Sequence, residues 1–159
     1  MASWQKRLMK DIQDLRENGF ELLPEGGPDK DLQLDCFQVG YLSGPKETPY
    51  ANGRWRVRFT VSSNFPFQSP SVGIVEHIMH PNIDWTSGSV CLDALNKKWS
   101  PVFTLRHIME TLLPYLLSYP NAADPLNREA AALLNENPSL FAATASDATN
   151  RHAKTPDAK

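Results

Sequence analysis

Arg54-Trp55-Arg56-Val57-Arg58-Phe59-Thr60-Val61 alternates without a break. In an extended chain Trp55, Val57, Phe59 and Val61 fall on one side, and Arg54, Arg56, Arg58 and Thr60 on the other. A strand that buries one face and wets the other is the habit of antiparallel sheets. The three arginines read as a solvated outer face or as a docking surface for a partner, and the sequence leaves both open.

Outward from this strand the chain keeps a simple rhythm. Downstream, Phe65-Pro66-Phe67-Gln68-Ser69-Pro70 is a loop with two prolines, either of which can be cis. Ser71 to Val75 is the next strand, with Val72 and Ile74 inward. Upstream, Gly44-Pro45 and Asn52-Gly53 bracket a turn region. Leu32 to Tyr41 reads as a strand whose alternation changes phase near Cys36-Phe37, which predicts a bulge there. Phe20 to Leu23 is a short apolar run stopped by Pro24. Before it, Ser3 to Asn18 has helical spacing: Ser3 is placed to cap, Trp4, Leu8, Ile12 and Leu15 share a face, and Gly19 stops it. One helix and then four strand-like runs in hairpin order predict an α+β fold. Its core is a four-stranded antiparallel meander with helices on one side.

Further along, Thr104 is placed to cap a central helix bearing Leu105, Ile108, Met109, Leu112 and Leu116. Pro114 lies inside that pattern, lacks a backbone donor and forces a kink or bulge. Arg128 to Leu134 reads as a third helix capped by Asn127. Ser139-Leu140-Phe141-Ala142-Ala143 starts a fourth that dissolves into alanine, serine, threonine and aspartate. The expected division is a folded domain over residues 1–145 and a disordered tail over 146–159.

The totals fit one domain. The chain has 159 residues, 41% of them hydrophobic, with a formal net charge of −2. That balance argues against a nucleic-acid footprint. No apolar run approaches the ~18 residues of a membrane span, and the amino terminus does not read as a signal peptide. The two cysteines, Cys36 and Cys91, sit in unlike settings without metal-ligand spacing. A reduced thiol protein of cytoplasm or nucleus is expected, with no bound metal. Cys36 reads as ordinary packing.

The chemistry concentrates in His80-Pro81-Asn82-Ile83-Asp84-Trp85-Thr86-Ser87-Gly88-Ser89-Val90-Cys91-Leu92-Asp93. It opens as a turn, since Pro81 biases His80 away from helix and Asn82 can bond its own backbone. It then delivers a thiol between two apolar residues, followed by a carboxylate.

His-Pro-Asn, then Gly-x-Val-Cys-Leu-Asp, then Trp99-Ser100-Pro101 resembles the catalytic core of ubiquitin-conjugating enzymes. The resemblance continues through Pro120-Asn121, Asp124-Pro125-Leu126, Tyr41-Leu42-Ser43-Gly44-Pro45, Thr48-Pro49-Tyr50 and Phe65-Pro66-Phe67, covering roughly residues 4 to 141. It implies that Cys91 takes the carboxyl terminus of ubiquitin as a thioester from an activating enzyme and passes it to substrate lysines. ATP is consumed upstream, no cofactor is bound, and a RING- or HECT-type ligase assists a monomeric carrier.

The same resemblance assigns roles to particular residues. Asp124 orients the attacking amine and relays its proton, and Asp93 is either a helper or a carboxylate bonded to loop backbone. Asn82 stabilises the oxyanion or shapes the loop. His80 and Pro81 brace that loop. Lys6, Arg7 and Lys10 in the first helix meet the activating enzyme, in line with cations misplaced against the helix dipole. Phe67, Ser100 and Pro101 meet the ligase. Relative to the family pattern, the stretch from Asn82 to Cys91 and the helix around Pro114 are each one residue longer, and a π-bulge near Pro114 absorbs the second. The last helix is shorter and less patterned than usual, Ala122 or Ala123 replaces a frequent proline, and Val102 stands where alanine is common. The alternatives are another modifier such as SUMO, against which Asp93 argues, a noncatalytic ubiquitin-binding module, or a cysteine hydrolase pairing Cys91 with His107 and an asparagine.

Overall fold

The alternation in β3 (Arg54–Thr60) is realised residue by residue: Trp55, Val57 and Phe59 are buried, and the arginines between them are half-buried. The computed structural model describes residues 1–91 and 97–154. β3 lies between β2 (Cys36–Ser43) and β4 (Ser71–Ile74), and β1 (Glu21–Pro24) flanks β2, in the order β1-β2-β3-β4 with every pair antiparallel. The meander expected from the sequence is therefore present. Val57 sits opposite Val39 on one side and Ile74 on the other, which puts one apolar row across three strands.

The bulge falls elsewhere than expected. Pairing of β2 with β3 runs in register from Cys36 to Val39 and then shifts before Leu42. The irregularity is thus at Gly40-Tyr41, and β2 begins only at Cys36 rather than Leu32. The change of phase at Cys36-Phe37 marks the start of the strand, not a defect within it. On the outer face the arginines are spoken for. Arg56 lies along Glu76, donating through Nε at 2.7 Å, and Arg58 Nε donates to Glu25 at 2.9 Å. The Arg58 contact, the largest influence on Glu25, holds its carboxyl below the usual range. Arg54 lies over the Tyr41 ring at 4.7 Å.

α1 (Ser3–Glu17) buries Leu8, Ile12 and Leu15 as its spacing predicts, but Ala2, not Ser3, is the N-cap. Gln5 Oε1 accepts from the Ala2 amide, and Ser3 is already helical. Asp11 shares the buried face, which apolar periodicity does not reveal. Its carboxylate accepts from Arg7 and from the Leu105 amide at the start of the central helix. Burial outweighs the arginine and raises its carboxyl above the usual range.

The central helix, α2, has an α-helical start (Leu105–His107), a π-helical turn (Ile108–Leu112) and an α-helical end (Leu113–Ser118). Thr104 caps it through the His107 amide. The π turn stands directly before Pro114: the Leu113 amide reaches Ile108 O, and the missing Pro114 donor falls where the ladder is already shifted.

α3 (Arg128–Glu136) is capped by Asn127 and α4 (Pro138–His152) by Asn137. α4 overturns the expectation of a tail disordered from residue 146. It runs to His152, buries Phe141, Ala145, Ala148 and Thr149, and is followed by backbone pairing of Lys154 with Arg54. Beyond Phe141 its buried face consists of small residues, whose spacing carries little hydrophobic signal but permits close approach. No helix among the described residues is long and apolar enough to cross a membrane.

Candidate active site

β4 is a sheet edge, and the His80–Cys91 loop covers it. Ile74 N donates to Gly88 O and Val90 N to Val72 O, so the loop doubles back as a makeshift neighbour of β4. Gly88 has φ +76, and a Cβ there would collide with Ile74 O, so the turn needs glycine at this point. Asp84 closes the turn by accepting from both the amide and the hydroxyl of Ser87 at 2.7 Å. The Cys91 amide donates to Asn82 O at 2.9 Å, which brings the beginning and end of the motif together.

His80 is fully buried. Its Nδ1 accepts from the Asn82 amide at 3.0 Å, so Nε2 carries the proton and donates to Leu116 O at 2.8 Å. Burial pushes the imidazole down to about 4. Both ring nitrogens are therefore engaged, one with the loop and one with α2. Tyr50 adds a second brace, donating from Oη to Met79 O at 2.6 Å and packing against the His80 ring. Pro81 O accepts from the amides of both Leu126 and Asn127, tying the loop to the segment before α3.

Asn82 is 1% exposed. Its Nδ2 donates to Asn121 O at 2.8 Å and makes a longer contact with Asp124 O at 3.4 Å, while Oδ1 accepts from Asn121 N at 2.8 Å. The amide thus fastens the Asn121–Asp124 segment to the active loop.

Cys91 is half-exposed and free. It lines a groove of about 290 Å³ together with Asn82, Asn121, Asp124 and the exposed tyrosines Tyr115 and Tyr119. Lys97 and Lys98 line the same groove. The sequence motifs anticipate Asn82, Cys91 and Asp124 but not this aromatic and cationic wall. The signal was there in the spacing of Tyr115 and Tyr119, four apart at the end of α2. Asp93 lies outside the described residues. His107 does not line the groove; its ring packs on Phe103 at 4.2 Å, so the cysteine-hydrolase pairing is not formed. Among the described residues no cluster of three or more His, Cys, Asp or Glu is placed to hold a metal ion.

None of the residues expected to meet partner proteins lines that groove. Phe67 is 81% exposed, and Pro101 and Val102 are exposed as well. Trp99 Nε1 donates to Pro66 O at 2.8 Å, holding the two loops side by side. Ser100 is half-buried, and its carbonyl accepts from Phe103 N. Lys6 and Lys10 are exposed on α1. Arg7 differs from them, because its guanidinium is committed within the molecule to Asp11, Pro101 O and Phe103 O.

Comparison with known proteins agrees with this arrangement. Residues 7–149 match the family model described as ubiquitin-conjugating enzyme. The chain is 46% identical over 156 residues to ubiquitin-conjugating enzyme E2 5 of Arabidopsis thaliana, covering 97% of this chain and 80% of that protein. It is 41% identical over 143 residues to ubiquitin-conjugating enzyme E2-24 kDa of Saccharomyces cerevisiae, covering 89% of this chain and spanning 62% of the yeast protein's length. A ubiquitin conjugating E2 domain from Toxoplasma gondii superposes with a TM-score of 0.80 at 31% identity, covering 94% of this chain and 99% of that one. With a reachable thiol at the mouth of a braced groove, and these matches over nearly its whole length, the chain belongs to the ubiquitin-conjugating enzymes, a family of thioester-forming ubiquitin transferases.

Proposed function

We propose that Cys91 is the sulfur that carries ubiquitin, and that the groove beside it is where a lysine amine takes the acyl group. The observation that carries this reading is the meeting of Cys91 and Asn82, from the two ends of the active loop, with Asp124, from a distant stretch of sequence, in one groove. In the first step the Cys91 thiolate attacks the thioester of the charged activating enzyme; one C–S bond forms and another breaks. A cysteine supplies a few per cent thiolate near neutral pH without help, enough for an exchange between thioesters. ATP is spent before this point, on the activating enzyme.

The second step is harder. A lysine of ordinary pKa is only about one part in a thousand neutral near pH 7.4, a handicap of roughly 4 kcal/mol. Asp124 is exposed at the groove, where its carboxylate orients the amine and takes up the proton lost on attack. The wall it stands on is held by Asn82, whose shortest bonds go to the backbone of Asn121. Only the longer Asp124 O contact is available to be exchanged for an oxyanion.

Phe67, Ser100 and Pro101 form the ligase-facing surface, and Lys6 and Lys10 the charged part of the activating-enzyme surface. Ligases of either RING or HECT type fit an exposed aromatic flanked by a proline loop. The test of the transfer step is single-turnover discharge of the charged protein onto free lysine. Asp124→Ala is expected to slow discharge roughly 10²-fold while leaving loading intact. Unchanged discharge removes Asp124 from the mechanism.

A further inference from the structure

The tip of the active loop carries a tryptophan that the steps above leave unused. Trp85 stands inside the Asp84–Ser87 turn, 36% exposed, and does not line the groove of Cys91. Its indole lies flat on the His77 ring, with centroids 4.7 Å apart and planes 15° from parallel. His77 Nδ1 donates to Trp85 O at 2.7 Å, so the stacked pair is also tied to the backbone of the turn. His152, in the last turn of α4, stands perpendicular to both rings, 5.3 Å from Trp85 and 5.4 Å from His77. Stacked and perpendicular pairs are the two arrangements that aromatic rings favour. The end of α4 is itself pinned, because Arg54 and Lys154 exchange two backbone bonds of 2.9 Å.

We propose that Trp85 and His152 are positioning residues for transfer: through them the last turn of α4 clamps the tip of the active loop and so sets Cys91 against Asp124. The inference rests on Cys91 being the thioester carrier. The loop leaves at Asn82 and returns at Cys91, and its two limbs are joined by Asp84 N to Ser89 O and Cys91 N to Asn82 O, both 2.9 Å. His80 and Asn82 fix its base to α2 and to the Asn121–Asp124 segment. The ring clamp adds α4 to these supports, at the far end of the loop. A turn released at its tip pivots about its base and carries the return limb, which ends in Cys91, relative to a carboxylate on another segment. Attack by an amine depends on that separation, and a misplacement of ~1 Å can cost up to ~10²-fold. Loading asks less, since exchange between thioesters needs a reachable thiol. The clamp therefore acts on discharge.

The experiment charges the full-length protein with ubiquitin and follows its discharge over a series of free-lysine concentrations. His152→Ala is expected to lower the rate at high lysine roughly 2- to 5-fold, and Trp85→Ala roughly 5- to 20-fold. The lysine concentration giving half the maximal rate should not move, since neither side chain lines the groove. His152→Phe keeps a ring and is expected to restore the rate. Hydrogen exchange of the Cys91 amide, bonded to Asn82 O, is expected to quicken in both alanine variants. His152 is exposed, so its truncation should leave Tm in place and keeps the test sound even where Trp85→Ala folds poorly. An unchanged rate in His152→Ala overturns the proposal. So does a shift in half-saturation alone, or a His152→Phe that stays as slow as His152→Ala. If a reducible thioester forms and discharges equally in every variant, only this inference fails; if no thioester forms on the unsubstituted protein, the reading of Cys91 fails with it.

Discussion

Arg7 Nη1 donates to Pro101 O at 2.7 Å, across 94 residues of sequence, and Nη2 donates to Phe103 O at the same distance. The third bond, from Nε to the buried Asp11, sets Asp11 against the Leu105 amide, so one guanidinium ties α1, the Trp99–Phe103 loop and the start of α2. Arg7 is therefore a strap, whereas its neighbours Lys6 and Lys10 are exposed on the same helix.

This separates variants that the sequence alone groups together. Arg7→Ala leaves Asp11 without its cation and should destabilise the fold by about 1–3 kcal/mol, with a lowered Tm. Lys cannot restore three bonds in a fork, so Arg7→Lys should recover little. Charge reversal at Lys6 and Lys10 should leave Tm unchanged and slow loading of Cys91. Thermal melts and loading kinetics on both sets check this; an unaltered Tm in Arg7→Ala would remove the strap.

Asn82 offers a second separation. If its amide chiefly fastens the Asn121–Asp124 wall, Asn82→Ala should lose about 1–3 kcal/mol of stability and slow discharge to lysine, while Cys91 still loads. If it chiefly serves an oxyanion, stability should hold and discharge alone should fall by ~10²–10³. Denaturant unfolding beside single-turnover discharge distinguishes the two, and the bonds favour the first.

His80 makes stability depend on pH. Burial pushes its folded-state value down to about 4 from the ordinary 6.5. Below the ordinary value the unfolded chain binds a proton that the native ring refuses, so stability should fall as pH drops from about 6.5 to about 4, by roughly 3 kcal/mol. Asp11 works in the opposite sense: its raised carboxyl binds a proton in the native state first, which offsets part of the loss at the acid end. Urea unfolding at a series of pH values measures the slope. A flat profile between pH 6.5 and 4.5 contradicts the burial of a neutral His80.

Phe67 and Pro101 carry the ligase prediction. Both are exposed, so truncation should cost little stability. Phe67→Ala and Pro101→Ala should weaken ligase-stimulated discharge while sparing loading by the activating enzyme. Stimulation that survives both changes would place the ligase elsewhere.

Much of this was readable from residue order, and the failures have physical causes. Strict alternation in β3 and the caps Thr104 and Asn127 are local signals, and the structure keeps them. Pro114 announced the π turn because a missing donor must be accommodated somewhere. The bulge was misplaced because Gly40 is buried in β2 without a side chain to reveal the phase. The extent of α4 was missed because alanine and threonine form its packed face. Asp11 and the Trp85–His152 contact depend on partners far away in sequence, which periodicity does not encode.

The most direct measurement mixes the protein with ubiquitin, activating enzyme and ATP and resolves the products on a nonreducing gel. The account predicts a shifted band that reductant removes, absent in Cys91→Ala and reductant-resistant in Cys91→Ser. A Cys91 that stays bare under these conditions, or a shifted band that survives in Cys91→Ala, would contradict it.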